Sequence, residues 1–324
     1  MTRERAPGIG VPGAPSLTPP RGPLARALSW LLVAATLGFV GWAFVQGWPR
    51  VAEHDWRLRP LLLLASTLLV TAVIVSAALV WGRVLRGFGA DPVPSPALVR
   101  IWFHSNLARY VPGKIWQFVA AADLARARGL SPALMLISLI AFMGFVLLGA
   151  AVVAAAALPL PGVPAALTGA LAAALAVALS HPAVVSTGVR LIPRRPADLR
   201  WRASWSTGVA ILALCVIYWI VFGAAFVLFL EGVVGAPESA WVALVGANAA
   251  AYLVGYVVIV APAGLGFREA TLTALLGGIL GSGLGDERAL ALGAVVALAS
   301  RLWIVVAELL GATGSLAIDR PRSS

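Results

Sequence analysis

Charge is scarce in this chain. Asp, Glu, Lys and Arg make up 11% of its 324 residues, against about 25% in a soluble globular protein. None of the four occurs in 129–189 or in 203–230. Such stretches exceed the roughly 20 apolar residues that cross ~30 Å of hydrocarbon, so a soluble fold is excluded. A membrane β-barrel would show short alternating segments and weak hydropathy, and neither is found. Cysteine is limited to Cys215, which excludes an internal disulfide. His54, His104 and His181 are scattered without metal-ligand spacing, so neither a metal site nor another cofactor is expected. Walker A, nucleophile-elbow and paired-carboxylate signatures are missing. Gly264-Leu265-Gly266 follows no strand, so it does not open a dinucleotide site. The chain is not expected to be an enzyme.

What remains is 60% hydrophobic, with a mean hydropathy of +0.94. The fold class this implies is all-α, a polytopic integral membrane protein of about eight transmembrane helices. The spans are expected near 28–47, 61–82, 132–158, 165–181, 206–230, 239–260, 270–285 and 289–312. Residues 1–26, rich in Pro, Gly and Arg, read as a disordered cytoplasmic tail. The membrane domain covers 27–315, and 316–324 form a second cytoplasmic tail. The seventh segment is unusual, because only 16 residues from 270 to 285 are free of charge, near the ~17-residue lower limit for a span. It reads as a short span or as one arm of a broken, re-entrant helix.

The formal charge of +11 does not point to nucleic acid, because the basic residues lie between apolar runs and no recognition module is present. They follow the rule that cytoplasmic loops hold Arg and Lys. Arg3, Arg5, Arg21 and Arg26 mark the N-terminal tail, and the 83–130 and 190–202 segments are strongly basic, whereas 231–239 is acidic. Both termini are therefore expected in the cytoplasm. The 49–59 loop, with Arg50, Arg57 and Arg59, fits this orientation least well. Lys114 is the one lysine among 24 basic residues. That arginine bias, with abundant Ala and Gly, suggests a GC-rich bacterium and so its inner membrane.

Two proline/glycine breaks carry charge beside these spans: Arg109-Tyr110-Val111-Pro112-Gly113-Lys114 and Pro262-Ala263-Gly264-Leu265-Gly266-Phe267-Arg268-Glu269. Irregular backbone at membrane depth persists only where protein or water satisfies its polar groups. Ionisable residues there mark the path of a polar solute. Around the first break, 97–128 reads as two short helices, either an amphipathic pair on the cytoplasmic surface or a re-entrant hairpin. The membrane-level charges are Arg109, Lys114, Arg268, Glu269, Arg301 and Glu308. They either lock helices together or line a cavity for an anionic headgroup. In the second reading Arg109, Tyr110, Lys114 and Arg268 contact the headgroup, while Glu269, Arg301 and Glu308 form a buried network. Pro112, Gly113, Pro262, Gly264 and Gly266 break the backbone and expose its donors. Glu269 and Arg301 are expected to be partners, because a helix starting at 270 would run back along the last span.

The stretches Leu107-Ala108-Arg109-Tyr110-Val111-Pro112-Gly113-Lys114-Ile115-Trp116 and Ala261-Pro262-Ala263-Gly264-Leu265-Gly266-Phe267-Arg268-Glu269-Ala270 resemble the two signatures of the lysylphosphatidylglycerol synthase transmembrane (flippase-like) family. Arg301 resembles that family's late-helix arginine. The resemblance implies a membrane domain with short re-entrant elements and a membrane lipid as the ligand. Some members are linked to moving aminoacylated phosphatidylglycerol; others accompany glycosyltransferases acting on lipid-linked sugars. A soluble synthase domain after Ser324 is not expected, and neither therefore is lysyl-lipid synthesis. The expected function is translocation of an anionic or lipid-linked phosphate headgroup. The alternatives are a non-transporting scaffold for a glycosyltransferase or lipid-modifying enzyme, and a small-solute secondary transporter.

Overall fold

The structure is a computed structural model. It describes residues 58–108, 116–126, 129–158, 160–192, 196–257, 266–280 and 285–318, together with Val45, Pro49, Ala52 and Trp56. Among the described residues it is all-helical. The helices are α1 (Pro60–Gly87), α2 (Ser95–Ala108), α3 (Trp116–Arg126), α4 (Pro132–Ala157), α5 (Ala165–Leu179), α6 (Pro182–Arg190), α7 (Trp205–Val233), α8 (Trp241–Val257), α9 (Phe267–Leu280) and α10 (Asp286–Ile318). A 3-10 turn, Glu238–Ala240, leads into α8.

Local sequence explains the starts. Pro60, Pro132 and Pro182 occupy first-turn positions, where a missing N–H costs nothing. Ser131 and Ser204 cap α4 and α7 by accepting from the amides of Leu134 and Thr207.

Five helical segments are long and apolar enough to cross a membrane: α1, α4, α7, Glu238–Val257 and α10. Counting α5 and α6 together as one bent element makes six. The described residues thus account for five or six of the expected eight. The 28–47 segment lies outside the described residues. The 165–181 segment stops at Leu179, and α6 leaves it at 67°. Pro182 has no N–H for a carbonyl four residues back, and His181 caps the new helix by accepting from the Ala183 amide at 3.3 Å. The 270–285 segment becomes α9, whose 14 residues reach only ~21 Å. The last span is longer than expected, since α10 continues to Ile318, into the 316–324 tail.

α4 and α7 form the centre. α4 packs on α5, α7 and α8; α1 packs along α7, and α9 lies between α8 and α10. Large apolar side chains face outward, as in the stripe Leu167, Leu171, Leu175 and Leu179 on α5 and in Leu61, Leu64 and Leu68 on α1. A lipid environment accommodates such faces; water does not.

α1 and α7 run antiparallel. At one end the Arg202 amide donates to Gly87 O at 2.8 Å, which brings the 83–90 and 200–203 basic segments together. Arg83, Arg86, Ser206 and Thr207 line an open cleft of about 520 Å³ there. At the other end the Arg59 amide donates to Gly232 O, and the Arg59 side chain meets Glu231 at 3.4 Å. The ill-fitting 49–59 loop thus has one of its arginines engaged by an acidic partner.

Helix contacts use small residues, as is common where lipid replaces water. On α10, a Cβ at Gly293 would stand 2.5 Å from the Thr273 carbonyl oxygen of α9, a backbone atom that cannot swing away. Gly293→Leu must therefore push α9 off α10. We expect a loss of about 1–3 kcal/mol, read as a lower unfolding temperature in detergent; an unchanged temperature would show that the two helices tolerate separation.

α2 does not lie on a surface. Leu98, Ile101, Trp102 and Phe103 are buried. Trp102 meets Trp81 of α1 and Phe142 of α4. Phe103 lies where a Cβ at Gly311 of α10 would clash. Asn106 accepts from Gln117 of α3 at 2.7 Å. Of the 97–128 segment, α2 is thus packed into the bundle, and α3 lies against α2 and α4.

Candidate functional site

The site begins with a glycine. Gly266 has φ +92°, a left-handed conformation that side chains disfavour. It precedes α9 and turns its own amide towards the helix it starts. That N–H donates to Glu269 Oε2 at 2.9 Å, the carboxylate half of a capping box. The helix N-terminus favours the same negative charge. Capping leaves Oε1 for other partners. It accepts from Arg301 Nη1 of α10 at 2.5 Å and from Arg268 Nη1 at 3.4 Å.

Arg268 is held on several sides. Its Nη2 donates to Ser300 Oγ at 3.3 Å, while that hydroxyl donates to Ala297 O of its own helix at 2.7 Å. Its guanidinium carbon lies 4.5 Å from the centre of the Tyr252 ring on α8, a cation–π contact. Its stem has room because residue 255 is glycine; a Cβ there would stand 3.0 Å from Arg268 Cβ. The Nε atom of Arg268 is buried and has no partner among the described residues. Arg268 is 4% exposed and Glu269 8%, so these charges gain little from water.

Two helices serve as depth gauges. Arg301 lies within one residue of the midpoint of α10. Tyr252 is 11 residues beyond Trp241, the start of α8, which is ~17 Å along the axis. If Trp241 marks an interface, both place the cluster near the middle of ~30 Å of hydrocarbon. α9, with 14 residues, is too short to be a full-length span of its own. The cluster thus sits where the start of a short helix, α9, meets α8 and the middle of α10.

Of the residues singled out from sequence, the structure brings Gly266, Arg268, Glu269 and Arg301 together. Glu308 is buried two turns farther along the same side of α10, beside the contact between Gly311 and Phe103. Arg109, Tyr110, Pro112, Gly113, Lys114, Pro262 and Gly264 lie outside the described residues. Tyr252, Gly255 and Ser300 were missed by sequence reasoning. Asn248, Tyr252 and Gly255 share one face of α8 at helical spacing, and a lone amide in an otherwise apolar helix was the available signal. Among the described residues no three His, Cys, Asp or Glu side chains are placed to hold a metal ion.

In comparisons with known proteins, no family model, no curated protein and no solved structure matches the chain.

Proposed function

We propose that this chain is a multi-pass protein of a bacterial inner membrane, with both termini cytoplasmic, that translocates a lipid bearing an anionic phosphate headgroup. The observation that carries the reading is the imbalance at the cluster. Two guanidiniums converge on one carboxylate, and Arg268 keeps an unbonded N–H. Among the described residues of the cluster positive charge exceeds negative by one, which favours an anionic visitor over a cation or a neutral solute. The half-helix N-terminus of α9 adds to the same field. The resemblance of the two broken stretches to the flippase-like family points the same way.

The direct test is reconstitution into vesicles with fluorescent phosphatidylglycerol. The wild type should speed exchange between leaflets. Arg268→Gln should slow it about tenfold or more, the worth of a charge-assisted hydrogen bond, with the amount of folded protein unchanged. Arg109→Gln and Lys114→Gln should do likewise. If wild-type vesicles exchange no faster than protein-free ones, translocation is wrong, and a scaffold for a glycosyltransferase or lipid-modifying enzyme takes its place.

The orientation rests on the two basic segments meeting at one end of α1 and α7 and on the retention of Arg and Lys in the cytoplasm. In a Cys215→Ala background, single cysteines at Gly162 and Glu238 should label from outside, and those at Arg195 and Ser323 should not. Outside labelling at Arg195 would invert the topology.

A further inference from the structure

Among the described residues six have buried polar side-chain atoms without partners, and three of them, Asn248, Arg268 and Trp303, stand on α8, α9 and α10, the helices that build the charge cluster. Asn248 of α8 is fully buried, and neither its amide oxygen nor its amide nitrogen has a partner among the described residues. Nε of Arg268 and Nε1 of Trp303 are likewise buried and unbonded. Register and ring contacts connect the three. Asn248 lies one turn from Tyr252 and two turns from Gly255, on the face of α8 that carries both. Gly255 adjoins the stem of Arg268, and the Tyr252 ring lies under its guanidinium. Tyr252 is 5.3 Å from Phe222, and Phe222 is 6.2 Å from Trp303 on α10, ring centre to ring centre.

Folded interiors bond nearly all such groups, so three unbonded ones around one charge cluster call for an explanation. Their chemistry is one-sided. The Trp and Arg nitrogens only donate, and the Asn amide brings two N–H groups against one oxygen. The set offers four donors and one acceptor beside a guanidinium that shares its carboxylate with Arg301. A ligand suited to it is negative and carries several acceptor oxygens.

We infer that Asn248, Arg268 and Trp303 form an oxyanion subsite that takes a phosphate group between α7, α8, α9 and α10. This rests on the translocation reading but relocates the contact. Glu269, with both oxygens occupied, and Arg301, paired to it, anchor the subsite, while the three unbonded side chains receive the phosphate. The phosphate comes either from a lipid headgroup or from a free anion.

The test uses the full chain in nanodiscs of phosphatidylcholine, with dioctanoyl phosphatidylglycerol or inorganic phosphate added. Either probe should raise the unfolding temperature of the wild type. A rise with both identifies the oxyanion itself as the ligand; a rise with the lipid alone identifies the headgroup. No rise with either overturns the subsite. Asn248→Leu, which matches the heavy-atom outline of Asn248, should raise the unliganded unfolding temperature, because an unpaired amide leaves the interior. It should also abolish the shift caused by the probe. A variant that unfolds at a lower temperature, or keeps the full shift, overturns the subsite. Trp303→Phe keeps a ring and deletes the N–H, so the apparent Kd should weaken about tenfold; an unchanged Kd is contrary to the proposal. The two readings fail separately. A shift retained by Asn248→Leu alongside working wild-type translocation removes the subsite alone. A shift lost by Asn248→Leu in a protein that moves no lipid removes translocation alone.

Discussion

Glu269→Gln should lower the stability of this protein by roughly 3–5 kcal/mol, because it strands the buried Arg268 and the part-buried Arg301 at once. The carboxylate accepts from Arg301, from Arg268 and from the Gly266 amide. A glutamine retains one acceptor oxygen and no charge. The unfolding temperature in detergent should fall on the order of 10 °C. The cluster also predicts an order among variants. Arg301→Gln leaves Arg268 and Glu269 as a balanced pair, so it should cost less than Glu269→Gln. Adding Arg301→Gln to Glu269→Gln removes one stranded cation and should recover part of the loss. A double-mutant cycle with coupling below ~0.5 kcal/mol would mean that the short contact between Glu269 and Arg301 contributes nothing.

That pairing was accessible from sequence because charge inside an apolar run has few places to go. Arg268 and Glu269 stand at the end of a proline/glycine break, and Arg301 interrupts a long apolar helix. A helix that starts beside Glu269 and turns back along the last span brings the carboxylate to the guanidinium.

Where helices end inside the apolar runs was not legible, and the reason is physical. Hydropathy measures how long a chain remains apolar, not whether it remains one helix. The 165–181 stretch is apolar throughout, yet Pro182 closes α5 after 15 residues. The 270–285 stretch is helical to Leu280, and 281–284 lie outside the described residues. The environment of Arg268 was hidden for another reason. Tyr252, Gly255 and Ser300 reach it from α8 and α10, and in sequence each reads as an ordinary residue of an apolar helix. Only the packing of α8 against α9 gives Gly255 its role as space for an arginine stem.

The platform under Arg268 depends on a residue that touches no charge. Trp219 of α7 is 1% exposed. Its Nε1 donates to Val146 O of α4 at 2.8 Å. Its ring stacks on Phe222 at 5.6 Å and meets Tyr252 at 5.3 Å. Tyr252 in turn lies beneath the guanidinium of Arg268. Trp219→Ala removes the contact that ties α7 to α4 and α8 together, and should cost about 3–5 kcal/mol. Trp219→Phe keeps a ring against Tyr252 and loses one hydrogen bond, about 1 kcal/mol. Val146 O is spared most of that loss because it also lies within the α4 backbone ladder. Thermal unfolding of the two variants therefore separates ring packing from the N–H bond. If packing dominates, Trp219→Ala falls well below Trp219→Phe, and headgroup translocation by its folded fraction falls as well, because Tyr252 no longer has a fixed neighbour. Equal losses in the two variants would mean that the bond to Val146, rather than the ring, holds α7 against α4.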